Sequence, residues 1–215
     1  MRTKCLRLLG LISLAACAAA QTMVKFDDLK PGPLGAPWRT GVTGRGNAKW
    51  EVVADATAPS KPQVLKQSGE ATFVWAVKTD TRMQDGFAEV KFKPVDGRED
   101  QAGGLVWRWQ DADNYYVVRA NALENNVVLY KTAGGKRTSL QAKGRTFGYG
   151  VDTEVPAGKW STLRIEFSGR LFTVIYNGKQ LFQVEDDTFK DTGAVGLWTK
   201  ADSVTLFDDF TYGGK

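Results

Sequence analysis

The chain has 215 residues, with 29 lysines and arginines against 24 aspartates and glutamates, which gives a formal net charge of +5. It contains no histidine, and this excludes Ser-His-Asp and Cys-His nucleophilic systems as well as histidine-ligated zinc. Basic residues are scattered along the chain, usually near acidic ones, so the sequence has no basic stripe of the kind that binds nucleic acid.

Residues 1–20 have the pattern of an export signal. Arg2, Lys4 and Arg7 precede an apolar stretch at residues 8–16, which is too short to span a bilayer and is typical of a signal-peptide core. We therefore expect an exported protein, located in a bacterial periplasm or cell envelope, or secreted. Loss of the three basic residues lowers the formal charge from +5 to +2.

Two ways of processing this signal fit the sequence. The tetrapeptide Leu14-Ala15-Ala16-Cys17 resembles a bacterial lipobox, in which Cys17 is acylated and becomes the mature N-terminus. Cleavage after Ala20 would instead release a soluble protein. A lipid anchor at Cys17 is the one membrane contact that we expect.

The chain has two cysteines, Cys5 and Cys17, and either route leaves no thiol pair for a disulfide. The mature chain must therefore be stabilised by core burial, and residues 21–215 are long enough to form one domain with a sizeable core.

Short strands are predicted at intervals of about ten residues from residue 49 onward. They follow a loop-rich segment at residues 31–47, and a further surface loop is predicted at residues 147–158. The predicted strands are KWEVVA, PQVLKQS, TFVWAVK, GFAEVKFKPV, GGLVWRWQ, NYYVVRAN, NNVVLYK and KRTSLQAK.

The last part of the chain predicts an antiparallel meander. Leu163, Ile165 and Phe167 alternate with polar residues, as in a half-buried strand. Turns follow at Ser168-Gly169 and at Asn177-Gly178, the latter a type I′ signal. With about a dozen strands, a two-sheet antiparallel jelly-roll sandwich of the all-β class is expected, and a closed barrel is the alternative.

Three segments carry a family resemblance: GGLVWRWQDADNYYVVRANALENNVVLYK, PAGKWSTLRIEF and DDTFKDTGAVGLWTKADSVTLFDDF. Over roughly Phe26 to Tyr212 the chain resembles the concanavalin A-like, laminin G-like sandwiches of bacterial exported proteins, and more narrowly the 3-keto-disaccharide hydrolase-like domains. The resemblance implies a jelly roll whose concave sheet holds a glycan. It does not imply a reaction, because such relatives include both hydrolases and noncatalytic binders.

The strand at residues 103–110 supplies the first candidate for ligand contact. Strict alternation places Leu105, Trp107 and Trp109 in the core, and Val106 and Arg108 on the opposite face. We therefore expect Arg108 to contact ligand, and the two tryptophans to pack in the core.

The other candidate ligand residues are Arg119, Asn121, Lys200 and Asp202. Alternation places Arg119 and Asn121 on one face of their strand, while Lys200 and Asp202 lie at a strand end and turn, where they could reach a glycan from the rim. Asp202 could instead bond the backbone of its own turn.

Both mid-strand arginines also have a structural explanation. A buried unpaired arginine is costly, so an ion pair with Asp113 or Glu124 is an equally good role for Arg108 and Arg119.

An acidic pair near the C-terminus suggests a metal. Alternation places Phe207 and Asp209 on one face of the last strand and Asp208 and Phe210 on the other. Asp209 could then join Asp27 in a structural calcium site where the first and last strands pair. The alternative is a salt-bridged acid that protects the sheet edge. No other cofactor is predicted.

Catalytic residues are not identifiable. The Glu-x-Asp-x-x-Glu strand motif of the family 16 glucanases is absent, and the acidic cluster at residues 185–187 fits a solvated turn better than a pair of catalytic carboxylates.

Three hypotheses about function remain. The first is an exported carbohydrate-binding or carbohydrate-processing domain with a glycan on its concave sheet. The second is a hydrolase or lyase of disaccharides or 3-keto-sugars that works without histidine. The third is a laminin G-like module that binds protein and presents an exposed patch away from the groove.

Overall fold

The computed structural model describes residues 21–214. The predicted signal and its Cys17 lie outside the described residues, so neither is tested. Residues 21–214 form 17 β-strands, and within them no helix is long and apolar enough to cross a membrane.

The strands form two antiparallel sheets, which confirms the predicted all-β jelly-roll sandwich. In spatial order, the nine-stranded sheet contains β15 (Lys179–Glu185), β14 (Leu171–Tyr176), β13 (Ser161–Ser168), β7 (Gly86–Asp96), β17 (Val204–Gly214), β5 (Gln63–Gln67), β4 (Trp50–Ala54) and β2 (Gly32–Pro33), with β1 (Gln21–Val24) paired to β17. The eight-stranded sheet contains β11 (Lys136–Ser139), β10 (Asn126–Ala133), β9 (Asn114–Asn121), β8 (Ala102–Asp111), β16 (Gly193–Ala201), β6 (Ala71–Met83) and β3 (Trp38–Gly46), with β12 (Val151–Asp152) paired to β10.

The main core fills the space between the two sheets. Leu163, Ile165 and Phe167 of β13 all point into it, as their alternation predicted. Trp107 of β8 reaches across to Phe167, with ring centroids 6.2 Å apart. In the predicted meander, Asn177 and Gly178 have φ of 48° and 76°, which confirms the type I′ turn.

The prediction of a loop at residues 31–47 is wrong for its second half. Residues 38–46 form β3, which pairs with β6 along most of its length. Glycine in this strand allows a close approach: a Cβ on Gly41 would lie 2.5 Å from Cη2 of the Trp75 ring. The glycines that suggested a loop therefore leave room for an aromatic ring.

Strict alternation also fails along β8. Trp107 points into the core with Leu105, but Trp109 packs on the other face of the sheet with Val106. The cause is a β-bulge between Val106 and Trp109, where Arg108 has φ of 45°. One inserted residue exchanges the faces of all residues beyond it.

A second bulge corrects the prediction for β17. Phe207 and Phe210 both belong to the core, because the register shifts after Asp208 and Asp209 has φ of 48°. The prediction that Phe207 shares a face with Asp209, and Asp208 with Phe210, is therefore wrong.

Asp186, which follows β15, ties the two sheets together. Its carboxylate accepts a hydrogen bond of 2.6 Å from the Tyr116 hydroxyl of β9 and pairs with Lys131 Nζ of β10 at 2.8 Å. Burial raises the pKa of Asp186, but hydrogen bonds from Lys131, Thr188 and Tyr116 outweigh burial and lower the pKa to about 2. The charged carboxylate is thus part of the structure at neutral pH.

The eight-stranded sheet curls around a second apolar cluster on the face away from the main core. Its large side chains are Trp75, Trp109, Tyr115, Tyr130 and Trp198.

The curl brings the distant strands β3 and β9 into contact across this concave face. Four strand spacings separate them in the sheet, which is about 19 Å in a flat sheet. Nevertheless, Thr43 Oγ1 of β3 lies 2.8 Å from the Tyr115 hydroxyl of β9, and it also donates to the carbonyl of Ala112. The middle of the concave face is therefore filled and covered by protein.

The fit of Gly41 beneath Trp75 can be tested by substitution. We expect Gly41→Ala to lower the free energy of unfolding by about 1–3 kcal/mol, because the added methyl overpacks the aromatic cluster. Chemical denaturation measures this change. Gly35→Ala is the matched control, since a Cβ there has no atom within 4 Å. Equal stability of both variants would contradict the packing described here.

Candidate functional site

An open groove lies at one end of the concave face, where the aromatic cluster stops. We call it the terminal groove; its volume is about 700 Å³. It forms where β3 ends, β6 begins and β16 ends, next to the β7–β8 loop and β11. Its polar and aromatic lining residues are Arg45, Asn47, Glu70, Thr72, Phe73, Glu99, Asp100, Arg137 and Lys200.

Aromatic rings and a guanidinium form one side of the terminal groove. The Arg137 guanidinium carbon lies 4.3 Å from the ring centroids of both Phe73 and Tyr130, and 5.5 Å from that of Trp198. Phe73 in turn stacks on Trp198 at 5.7 Å. Arginine between aromatic faces is held by cation–π attraction, which fixes its position without an acidic partner.

Arg119 belongs to a buried network next to this side. It is 0% exposed, and its Nη2 lies 2.6 Å from Glu124 Oε2 and 3.1 Å from the Tyr130 hydroxyl. Nη1 donates to Asn126 Oδ1, and Nη2 lies 3.3 Å from the Tyr149 hydroxyl. The structure thus gives Arg119 the ion pair with Glu124 that was the structural alternative.

Asn121 and Lys200 join the same network through Asp100. Asp100 accepts a hydrogen bond of 2.5 Å from Asn121 Nδ2 and pairs with Lys200 Nζ at 2.9 Å. Lys200 Nζ also lies 3.8 Å from Glu124 Oε1. The prediction that Arg119 and Asn121 share a face is confirmed, since both lie in this network on the concave side.

The carboxylate of Glu124 is held in its charged form. Burial raises its pKa, but the charge and hydrogen bond of Arg119, with smaller contributions from Asn126 and Lys200, lower the pKa below the ordinary value of 4.5. A carboxylate with a lowered pKa is a weak base, so this group is suited to positioning Arg119 and Lys200.

Asp202 orders the β7–β8 loop. Its carboxylate accepts backbone hydrogen bonds from Arg98, Glu99 and Asp100 at 2.6, 3.0 and 3.0 Å. Burial raises the pKa of Asp202, but the hydrogen bonds from these backbone amides outweigh the effect of burial and lower the pKa. Asp202 therefore positions the loop that brings Glu99 and Asp100 to the terminal groove.

Arg108 lies apart from the other predicted ligand residues, at the opposite end of β8. Because of the bulge, its side chain turns toward the nine-stranded sheet. Its guanidinium carbon lies 5.5 Å from the centroid of the Phe172 ring. Its guanidinium donates to the carbonyls of Gln84, Phe189 and Gly169 at 2.8, 2.8 and 2.7 Å. Asp85, rather than the suggested Asp113 or Glu124, is its acidic neighbour at 3.3 Å.

The predicted calcium ligands are bonded to protein groups. Asp209 pairs with Lys91 at 2.7 Å, and Asp27 Oδ1 accepts the backbone amide of Gln63 at 2.9 Å. Over residues 21–214 no group of three or more acidic, cysteine or histidine side chains is placed to hold a metal. A calcium site at Asp27 and Asp209 stays a prediction, and an unchanged melting temperature after chelation would contradict it.

Sequence reasoning missed Arg137 and Phe73. A signal for Arg137 was present: Gly134-Gly135 makes a two-residue hairpin in which Thr132 of β10 pairs with Arg137 of β11. Directly paired residues share a face, and Tyr130, two residues before Thr132, shares it too. The hairpin register therefore predicts that Arg137 lies near the tyrosine ring.

Comparison with known families gives a clear assignment. The sequence model of the 3-keto-alpha-glucoside-1,2-lyase-like domain matches residues 29–211. The chain belongs to this family. A comparison with curated protein sequences gives no match.

Several solved structures have a similar fold but low sequence identity to this chain. A carbohydrate-binding module, CBM66 from Bacillus subtilis, superposes with a TM-score of 0.64 at 20% identity, covering 82% of this chain and 94% of the other. A Bacillus subtilis protein of unknown function with a galectin-like fold gives 0.57 at 13% identity, covering 89% and 98%. A Bacillus licheniformis β-glucanase gives 0.54 at 12% identity, covering 91% and 98%. These likenesses confirm the concanavalin A-like sandwich.

The ion pair beneath the groove predicts a pH-dependent stability difference. We expect Glu124→Gln to lower the free energy of unfolding by about 2 kcal/mol at neutral pH, because the buried Arg119 loses its charged acceptor. Since the pKa of Glu124 is lowered in the folded state, the stabilisation is fully present above pH 4.5 and is lost as the pH falls through the folded pKa. Denaturation curves at several pH values measure this.

The control is Glu166→Gln on the outer face, where the Arg164–Glu166 pair is 2.8 Å long and partly exposed. Such pairs contribute about 0–1 kcal/mol. A Glu124→Gln variant that is as stable as this control at neutral pH would contradict the structural role of the network.

Proposed function

We propose that the chain is an exported carbohydrate-binding domain that holds a glycan in the terminal groove. The observation that carries the proposal is the combination of the Phe73 ring with the Arg137 guanidinium on one side of an open groove. Sugar rings present apolar C–H faces, which pack on aromatic rings, and hydroxyl groups, which need polar partners at the edge. Family membership and the fold shared with CBM66 support this proposal.

Other lining residues supply the polar partners. They are Asn47, Glu70 and Thr72, whose amide, carboxylate and hydroxyl groups suit sugar hydroxyls as acceptors or donors. Export and a lipid anchor at Cys17 remain predictions from residues 1–20.

Binding without turnover fits the charges of the groove better than catalysis does. Asp100 and Glu124 are paired with Lys200 and Arg119, and the pKa of Glu124 is lowered, whereas a general acid requires a raised one. A glycosidase needs one carboxyl that stays protonated near neutral pH to donate to the leaving group.

A lyase reaction on a 3-keto-glucoside is the second candidate, and the family match favours it. Such an elimination requires a base that removes the proton at C2, beside the C3 carbonyl, and a cation that stabilises the oxygen of the resulting enolate. The enolate then re-forms the carbonyl with a C1–C2 double bond as the C1–O bond breaks, and the leaving oxygen takes the proton from the protonated base. Glu70 and Glu99, which are exposed and make no ion pair within residues 21–214, are the available bases, with Arg137 or Lys200 as the cation.

Substitution of the groove ring tests the proposed function. We expect Phe73→Ala to weaken glycan binding about tenfold, because the ring supplies the apolar platform for the sugar. Glycan-array binding followed by calorimetry measures affinity, and chromatography of the bound ligand detects any product. The matched control is Phe87→Ala, since the Phe87 ring stacks on Arg164 on the outer face, 3.8 Å from its guanidinium carbon.

Three outcomes decide between the alternatives. Binding that Phe73→Ala weakens and Phe87→Ala does not, without product, supports the binding domain. Product formation that ceases on substitution of Glu70 or Glu99 supports the lyase. Absence of binding to every glycan contradicts both and favours a protein ligand.

A further inference from the structure

We propose that the terminal groove is selective for acidic glycans, and that Arg137 binds the carboxylate of a uronic acid residue. This inference rests on the proposed function, which it makes more specific. It starts from the difference between Arg137 and the other buried or half-buried arginines.

The guanidinium groups of Arg108 and Arg119 both hydrogen-bond to protein acceptors. Arg108 donates to three backbone carbonyls, and Arg119 donates to Glu124 and Asn126. Each of these two side chains has an acidic neighbour within 3.3 Å, so its charge is paired within the fold, although Arg119 Nε is buried without an acceptor. Neither guanidinium has a free pair of parallel N–H donors for a ligand.

Arg137 differs because none of its side-chain N–H groups donates to any residue in the described part of the chain. A guanidinium carries five N–H donors. Nη1 is buried against the aromatic rings without an acceptor, whereas Nε and Nη2 also lack protein acceptors but keep contact with solvent. Leaving a charged group partly desolvated and unpaired costs free energy, and a bound anion would offset that cost.

The free edge of Arg137 has the geometry that carboxylates prefer. Nε and Nη2 point the same way and can donate two parallel hydrogen bonds to the two oxygens of one carboxylate. The guanidinium packs against the rings of Phe73 and Tyr130, each centroid 4.3 Å away. The donor pair is therefore pre-organised, which reduces the entropy lost on binding.

The acidic residues around the groove do not cancel this charge. Asp100 is paired with Lys200 at 2.9 Å and accepts a hydrogen bond of 2.5 Å from Asn121. Glu70 and Glu99 are exposed, so water and salt screen their effect on a bound anion. Arg137 is partly desolvated, and its charge therefore acts more strongly at short range. A sugar with a carboxylate against Arg137 can still offer its hydroxyl donors to Glu70 and Glu99.

A panel of paired oligosaccharides tests the inference on the intact domain. The panel contains oligomers of glucuronate, galacturonate, mannuronate and guluronate, their methyl esters and the corresponding neutral sugars. We expect a uronate oligomer to bind, its methyl ester to bind more weakly, and added salt to weaken its affinity. Arg137→Gln should reduce binding of that uronate about 10- to 100-fold, a larger loss than the same substitution causes for its methyl ester.

The matched control is Arg82→Gln, on the exposed far end of the same strand as Phe73. The melting temperatures of both variants show whether each is folded. Equal binding of a uronate oligomer and its methyl ester, or a uronate affinity that Arg137→Gln does not change, would overturn the inference. Binding of neutral glycans alone would overturn it and leave the proposed function standing, whereas no glycan binding at all would overturn both.

Discussion

The curl of the eight-stranded sheet determines where a ligand can bind to this protein. Five large aromatic residues fill the concave face, and the contact of Thr43 with Tyr115 closes over them. The hydrophobic burial that this cluster provides contributes to stability, but it also occupies the middle of the concave face, where the family resemblance predicted a glycan. Open space therefore remains at the end of the sheet, where the terminal groove lies.

The arginines of this domain have two different roles. Burial of a guanidinium requires acceptors, and the fold supplies them to Arg108 and Arg119 from carbonyls, a carboxylate and an amide. Arg137 receives aromatic faces instead. This contrast distinguishes a residue that stabilises the fold from one that can bind a ligand, and the sequence pattern of the strands does not show it.

The period-2 pattern and the turn dipeptides were sufficient to predict the sandwich and the β13–β15 meander, because side-chain alternation and type I′ turns are local properties. The same alternation failed beyond Trp107 and at Asp209. Each error has one cause, a non-glycine residue in the left-handed region at a bulge, and such a residue leaves no mark on the hydrophobic pattern. Glycines in β3 were misleading for a different reason: the Trp75 ring needs the space beside Gly41.

The groove itself was only partly predictable. Arg119 and Asn121 were placed correctly on one face because they are two residues apart on one strand. The groove's composition depends on residues from β3, β6, β11, β16 and the β7–β8 loop, which the curl brings together. Curl is a property of the whole sheet and of its packing, so sequence patterns do not specify which of these side chains meet.

A crystal structure with a bound oligosaccharide would show whether ligand binds at the end of the concave face. We expect a sugar ring against Phe73 with an acidic group at Arg137. A sugar bound instead at the exposed Phe147 loop, at the Arg108 end of β8 or on the outer face of the nine-stranded sheet would contradict it.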